Sequence, residues 1–165
     1  MTQAAAQQGR APLPPRCRPC GLADLDSLQG ESIGLFVWSD VRPLRGVAAL
    51  IDWRLCGALS QLLLARRFLG APRETLLYPV RGRFGPRRLF VFGLGSRAAC
   101  TAAELGAHGQ HAALIMQRAG ATPITLAAPA APRALEMEAD FVQALRLEPP
   151  GGAAQVLVER PAREV

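Results

Sequence analysis

Residues 87–95 read RRLFVFGLG, and this stretch decides the fold that the sequence predicts. Its aromatic and β-branched side chains form an apolar run that ends in Gly-x-Gly, and a helical pattern begins a few residues later. Such a run is typical of a strand that is buried on both faces and delivers a glycine-rich loop to a helix N-terminus. The segments on either side repeat this alternation, so the sequence predicts an α/β fold.

The segments before this strand predict one helix and two further strands. Residues 33–38 predict a strand, and residues 46–67 predict a single amphipathic helix in which Gly57 indicates close packing. Residues 74–80 predict another strand, which the six-residue connector 81–86 (RGRFGP) joins to the central one. A connector this short predicts an antiparallel hairpin, whereas the helical crossovers elsewhere favour parallel pairing. We therefore expect a mixed sheet.

The remaining segments complete the predicted layer. Thr101 and Glu104 form a capping box that starts a helix, and this helix ends at Gly120. The other predicted elements are a short edge strand and a turn in residues 16–30, a strand at 122–129, a helix at 133–145 and a last strand at 155–159. Three acidic residues lie near the positive end of the helix at 133–145, where a solvated face is the natural interpretation: Glu136, Glu138 and Asp140.

Length and composition indicate one globular domain. The chain has 165 residues, of which half are hydrophobic and 19% are charged, so it is long enough to bury a core. We expect this domain to span residues 16–160, between a flexible tail at 1–15 and a C-terminal tail at 161–165. The sequence has neither a run of 18 apolar residues nor a signal sequence. A cytoplasmic protein without a membrane span is the resulting prediction.

Four arginines cluster around the predicted hairpin. The net charge of +6 rests on arginine alone, because the sequence contains no lysine. The clustered residues, with Phe84 between them, are Arg81, Arg83, Arg87 and Arg88. Arginines at a hairpin tip can clamp phosphates and an aromatic ring can stack on a base, so this cluster predicts a site for nucleic acid or another anion. The alternative is a solubilising turn in an arginine-rich protein.

The glycine-rich loop is the second candidate site. Residues 93–98 fit the loose dinucleotide pattern G-x-G-x-x-G/A after a strand. The helix cap at Thr101 lies too late to place these glycines at the helix N-terminus. Either the glycines let the backbone turn and pack closely, or their exposed amides bind a phosphate-bearing ligand. The candidate ligand residues are Gly93, Gly95, Ser96 and Arg97.

The cysteines, histidines and serines form no convincing catalytic or metal-binding set. Cys17 and Cys20 have the spacing of a zinc knuckle or a thiol redox pair, and His108 and His111 could supply two further ligands. The alternative is ordinary thiols and imidazoles. Cys100 precedes a helix start, where a thiol pKa can fall. Ser60 and Ser96 lack the context of a triad. We expect no catalytic residue, metal site or cofactor, and without a secretory signal we expect no disulfide framework.

A series of local motifs resembles the N-terminal domain of the leucyl aminopeptidases, peptidase family M17. The long helix of that domain is marked by an L-x-G start, an Asp and a Gly, and then come a Gly, an E-T-L-L-x-P strand and a strand ending Gly-Leu-Gly. The matching positions here are Leu44, Gly46, Asp52, Gly57, Gly70, residues 74–79 and residues 93–95. The resemblance covers about residues 31–147.

This resemblance implies a three-layer, macro-domain-like α/β sandwich with a mixed, mostly parallel sheet and helices on both faces. The family carries its two-metal centre, with Lys, Asp and Glu ligands, in a separate C-terminal domain, so no catalytic residue transfers to this chain. We therefore expect a stand-alone, non-catalytic relative that assembles or regulates a complex through a protein partner or self-association, and the alternative is a fragment of a longer enzyme. The alternatives are nucleic-acid binding by the hairpin arginines and nucleotide or ADP-ribose binding at the glycine loop, by analogy with macro domains.

Overall fold

The computed structural model describes residues 16–28, 31–82, 84–130, 139–143, 145 and 154–159. The two predicted tails lie outside the described residues. The elements, in chain order, are β1 (Arg16–Cys20), α1 (Leu22–Asp26), β2 (Ser32–Trp38), α2 (Gly46–Arg54), α3 (Ala58–Leu64), β3 (Thr75–Pro79), β4 (Arg88–Gly95), α4 (Ala102–Arg118), β5 (Ile124–Ala127) and β6 (Ala154–Glu159).

The six strands form one mixed sheet in the order β1-β6-β5-β2-β4-β3. Four of the pairings are parallel, and only β3 runs antiparallel, against β4. Leu77 lies opposite Phe90 in that antiparallel pair. The predicted mixed sheet and hairpin are thus confirmed, and β1 takes the edge position that the sequence predicted.

Helices cover both faces of this sheet, because the central strands carry apolar side chains on both faces. Every residue of β2 is buried, and so is every residue of β4 after Arg88. One face packs against α1, α2 and α3 through residues such as Ile33 and Val91. The other face packs against α4, Phe141 and Leu145. This arrangement confirms the predicted three-layer α/β sandwich.

The predicted helix over residues 46–67 is wrong in one respect, because it is two helices. α2 and α3 meet at a bend of 105°. The chain turns at Cys56 and Gly57, whose φ angles are +55° and +78°. A methyl group on Gly57 would have no atom within 4 Å, so this glycine supplies a left-handed backbone rather than the predicted close packing.

Two other predicted elements differ from the structure in extent. Part of the predicted turn after β1 is the short helix α1, whose first turn is held by a bond of 2.8 Å from the Gly21 N–H to the Asp24 carboxylate. The predicted helix at 133–145 falls largely outside the described residues, although residues 139–143 are helical. Glu136 and Glu138 are not among the described residues, and Asp140 is exposed.

The predicted capping box at the start of α4 is confirmed. The Glu104 backbone N–H donates to Thr101 Oγ1 at 3.3 Å, and the Thr101 N–H donates to Glu104 Oε2 at 2.8 Å. The helix ends at Arg118, shortly before Gly120 adopts a φ of +73°. No single helix in the described ranges is long and apolar enough to cross a membrane, and α2 and α3 reach that length only together, across their bend.

Candidate functional site

The predicted glycine loop begins where two parallel strands end side by side. Trp38, the last residue of β2, pairs with Gly95, the last residue of β4. A short 3₁₀ turn, Arg97–Ala99, separates β4 from α4. Ligands of open α/β sheets bind beyond the carboxyl ends of the strands, so this loop has the position expected of a ligand site.

The two glycines of the loop are already engaged in the fold. The Gly93 N–H donates to the Glu74 carbonyl and the Gly95 N–H donates to the Gly70 carbonyl, each at 2.8 Å. A methyl group on Gly93 would lie 2.0 Å from the carbonyl oxygen of Ala71. Gly93 therefore permits the chain at residues 70–72 to pass close by, and neither amide is free to bind a phosphate.

A carboxylate of the chain itself occupies the polar donors of Ser96 and Arg97. Ser96 Oγ donates to Asp40 Oδ2 at 2.5 Å, and the Arg97 backbone N–H lies 2.9 and 3.0 Å from the two Asp40 oxygens. These bonds, Ser96 first and Arg97 second, lower the pKa of Asp40. A phosphate at this loop would have to displace Asp40. Asp40 was not among the residues that the sequence pointed to as a site.

Trp38 and two arginines lie at the same carboxyl end of the sheet. The Arg97 guanidinium lies 5.6 Å from the centre of the Trp38 ring. Arg42 Nη1 donates to the Trp38 carbonyl at 2.6 Å, and burial lowers the pKa of Arg42. Trp38 is 3% exposed, and its indole nitrogen has no hydrogen-bond partner. The polar groups named here are therefore paired with one another rather than left free, apart from the indole nitrogen of Trp38.

The predicted arginine cluster is divided by the structure. Arg88 is half-buried, donates to Ser32 Oγ at 3.0 Å and to the Ala119 carbonyl at 2.9 Å, and lies 5.6 Å from the Phe90 ring. Arg88 therefore belongs to the fold. Arg81 and Arg87 are exposed, whereas Arg83 is outside the described residues.

Phe84 is half-buried and packs against the core on the side of α1, α2 and α3. A cleft of about 620 Å³ lies beside it, with Asp26, Phe84 and Arg87 in its lining. Two members of the predicted anion clamp, Arg81 and Arg87, are therefore exposed near a polar cleft.

The other predicted chemistry-bearing residues are dispersed. Cys17 is exposed and Cys20 is buried, because residues three apart on a strand face opposite ways. Among the described residues, no group of three or more His, Cys, Asp and Glu side chains could hold a metal ion. His108 is half-buried, and burial lowers its pKa. Burial, followed by Glu104, raises the pKa of Cys100, a direction that does not favour a thiolate at this helix start.

An exposed surface that the sequence did not predict lies at the bend between α2 and α3. A groove of about 680 Å³ lies there, and its lining includes Ala49, Trp53, Cys56 and Ser60. Trp53 is 66% exposed, and Leu64, one turn beyond Ser60 on α3, is 82% exposed. We call these residues (Ala49, Trp53, Cys56, Ser60 and Leu64) the α2–α3 corner. A helical pattern with Val47 and Ile51 buried would have placed Trp53 outside.

Asp52 fixes the geometry of this corner. It is buried, and its Oδ1 accepts from the backbone N–H groups of Leu59 and Ser60 at 2.8 and 3.2 Å. Its Oδ2 accepts from Ser60 Oγ at 2.5 Å. The carboxylate of Asp52 on α2 therefore caps the first turn of α3. The Ser60 hydroxyl is part of this cap, which is a structural role.

Comparison with known proteins supplies a family. The model of the cytosol aminopeptidase family, N-terminal domain, matches residues 33–148. Among solved structures, a tomato leucine aminopeptidase mutant is 17% identical with a TM-score of 0.60, and the match covers 92% of this chain and 33% of that chain. This chain thus spans about a third of the length of the tomato protein. No curated protein matches the chain significantly.

Two macrodomains are also similar in structure. The macrodomain of Mycobacterium tuberculosis DarG is 14% identical with a TM-score of 0.58, covering 87% of this chain and 98% of that one. The macrodomain of Thermus aquaticus DarG is 18% identical with a TM-score of 0.55, covering 88% and 97%. Likeness at these identities shows a shared macrodomain-like fold and nothing about a ligand.

Proposed function

Because the chain belongs to the N-terminal domain family of the cytosol aminopeptidases, we propose that it is a non-catalytic domain that assembles with another protein through the α2–α3 corner. The observation that carries this proposal is the exposure of Trp53 beside an open groove. Tryptophan and arginine dominate the binding energy of protein interfaces, and large apolar side chains in contact with water favour association.

Arg54, the residue after Trp53, is bonded to the fold. The Arg54 guanidinium lies 5.7 Å from the Trp53 ring, and Arg54 Nη2 donates to Asp26 at 2.6 Å and to the Leu22 carbonyl at 3.3 Å. A side chain that is already held loses little conformational entropy on binding. The expected partner offers an apolar pocket for the indole ring, and a leucyl aminopeptidase is the first protein to test, because the chain corresponds to a third of one.

The binding test compares Trp53→Ala with Leu114→Ala. Leu114 lies on α4 and is 44% exposed, so it controls for the loss of an exposed apolar side chain elsewhere. We expect Trp53→Ala to weaken binding at least tenfold in calorimetry with a partner recovered by co-purification, while Leu114→Ala binds as the wild type does. Equal binding by all three proteins would exclude the corner as the interface. Hydrolysis of a leucyl substrate by the purified chain with Mn²⁺ or Zn²⁺ would overturn the non-catalytic role.

A second candidate function is nucleic-acid binding, supported by the exposure of Arg81 and Arg87 beside the polar cleft. Binding through phosphate contacts weakens as salt rises. A titration of single-stranded DNA at several salt concentrations tests it, and an affinity that is absent at low salt or independent of salt removes the hypothesis. Nucleotide or ADP-ribose binding at the loop of Gly93 and Arg97 also stays a hypothesis. Calorimetry with ADP-ribose tests it, since binding there requires Asp40 to move.

A further inference from the structure

The turn that ends α3 presents two leucines and two arginines to solvent. Leu64 is 82% exposed and Leu69 is 43% exposed, and Arg66 and Arg67 between them are exposed as well. We call residues 64–69 the α3 turn, and we propose that it is a contact site for the surface of a lipid membrane with anionic headgroups. The inference goes beyond the proposed function, because it needs no protein partner and shares only Leu64 with the α2–α3 corner.

The backbone of the α3 turn is fixed by the fold. Arg66 has a φ of +54°, and the Arg67 N–H donates to the Leu62 carbonyl at 2.9 Å, so a left-handed residue closes the helix. Phe68, which is 3% exposed, anchors the turn in the core on the side of α1, α2 and α3. A turn that is already held in place needs little ordering when it meets a surface.

The positive charge of the turn has no acidic counterpart beside it. Residues 53–73 contain four arginines and no acidic residue. The next acidic residue, Glu74, accepts hydrogen bonds from two backbone N–H groups at 2.9 and 3.0 Å. Within the part of the chain that the structure describes, the one ion pair lies on α1 and α2, and neither Arg66 nor Arg67 is paired. Both guanidinium groups are therefore available to an external anion.

The shape of the turn favours a membrane over nucleic acid or an acidic protein. Residues 64–69 line neither of the two clefts described above, so the leucines project from the surface. A protein would have to supply a matching pocket for each leucine, and nucleic acid would supply phosphates without an apolar contact. A bilayer supplies both, because headgroup phosphates meet the arginines while the boundary of the acyl chains receives the leucines.

The contact should be weak and reversible. Each arginine near an anionic membrane surface strengthens binding about fivefold, and screening by salt reduces this effect. The turn offers two such arginines and two leucines, far less than a membrane-spanning helix offers. We therefore expect a contact with the membrane surface that forms at low salt and is released as the salt concentration rises.

Co-sedimentation of the full chain with vesicles tests the proposal. Vesicles of equal parts phosphatidylcholine and phosphatidylserine should bind the chain at low salt, and vesicles of phosphatidylcholine alone should not. Replacing both arginines of the turn, Arg66→Gln with Arg67→Gln, should weaken binding about tenfold or more.

The matched control is Arg81→Gln with Arg87→Gln, which removes the same charge at two exposed arginines of the hairpin. It should weaken vesicle binding about twofold or less, since these arginines lie outside the contact. Absence of binding to the mixed vesicles, or an equal loss for the two double variants, overturns the proposal.

A substitution at Leu64 distinguishes a bilayer from another polyanion. Leu64→Ser should weaken vesicle binding about threefold or more, because the apolar side chain no longer enters the acyl boundary. Leu114→Ser, a matched change at an exposed leucine on α4, should bind as the wild type does. Vesicle binding that depends on the two arginines but not on Leu64 would overturn the membrane contact and assign the turn to anions in general, in which case single-stranded DNA should compete with the vesicles.

Discussion

Asp40 and Arg97 are joined by hydrogen bonds from one backbone N–H to both carboxylate oxygens, at 2.9 and 3.0 Å. Ser96 Oγ donates to the same carboxylate. This contact ties the loop after β2 to the loop after β4, beyond the carboxyl ends of these two parallel strands. The carboxylate acts there as an anion supplied by the chain.

Asp40→Asn should reduce stability at neutral pH and much less in acid. The bonds from Ser96 and Arg97 lower the pKa of Asp40 below its ordinary value of 3.8, so its stabilising effect is present above that pH and is lost as the pH falls through the folded-state pKa. Because the group is exposed, we expect a difference of about 1 kcal/mol or less at pH 7.

Urea unfolding of wild type and Asp40→Asn at several pH values measures this difference. The two free energies of unfolding should converge only below pH 3.8. A constant difference down to the most acid pH would show that the ionised carboxylate of Asp40 contributes nothing.

Gly93→Ala should destabilise the protein by about 3 kcal/mol, since overpacking against backbone cannot be relieved by a side-chain rotation. The added methyl group would lie 2.0 Å from the carbonyl oxygen of Ala71 and 2.6 Å from the carbonyl carbon of Gly70. Gly57→Ala is the matched control, because it meets open space and carries only the cost of a positive φ, about 1 kcal/mol. Thermal and urea unfolding of both variants check the order, and a larger loss for Gly57→Ala contradicts the role given to Gly93.

Asp52→Ala should cost about 2–3 kcal/mol, because it leaves the N–H groups of Leu59 and Ser60 without their acceptor at the start of α3. Asp52→Asn keeps one acceptor oxygen and should recover much of this loss. The control is Asp26→Ala, which removes a partly exposed ion pair with Arg54 and should cost about 1 kcal/mol or less. If urea unfolding gives equal losses for Asp52→Ala and Asp26→Ala, the cap does not stabilise the corner.

The sequence predicted those parts of the fold whose causes are local. β4 is apolar in both directions and could be recognised as a doubly buried strand, and the box of Thr101 and Glu104 is contained within four residues. The break at Gly57 was missed because the helical pattern continues through it. The helix ends there because Gly57 adopts a left-handed backbone conformation. The carboxylate of Asp52, five residues before Gly57, then caps the start of α3.

The candidate sites were harder to predict, because their state depends on partners distant in sequence. Asp40 reaches Ser96 over 56 positions, and Arg88 reaches Ser32 over the same separation. Neither contact leaves a local signal, so an engaged arginine and a free one look alike in the sequence. The exposure of Trp53 could have been inferred from helical periodicity once the buried face of α2 was fixed.

Arg88 and Arg87 are neighbours with opposite roles, and their alanine variants should separate folding from anion binding. Arg88→Ala removes bonds to Ser32 and to the Ala119 carbonyl and a ring contact with Phe90, so we expect a loss of about 1–2 kcal/mol in urea unfolding. Arg87→Ala should change stability by no more than about 0.5 kcal/mol, because its side chain is exposed.

If the hairpin binds single-stranded DNA, Arg87→Ala should affect that binding more than Arg88→Ala does, the reverse of their effects on stability. Each phosphate contact contributes about 0.7 to the slope of log affinity against log salt, so Arg87→Ala should flatten that slope by about this amount. Arg88→Ala should leave the slope unchanged when measured well below its melting temperature. If Arg88→Ala flattened the slope while Arg87→Ala did not, the half-buried guanidinium would be the one that meets phosphate, and the division of the cluster into structural and exposed members would be wrong.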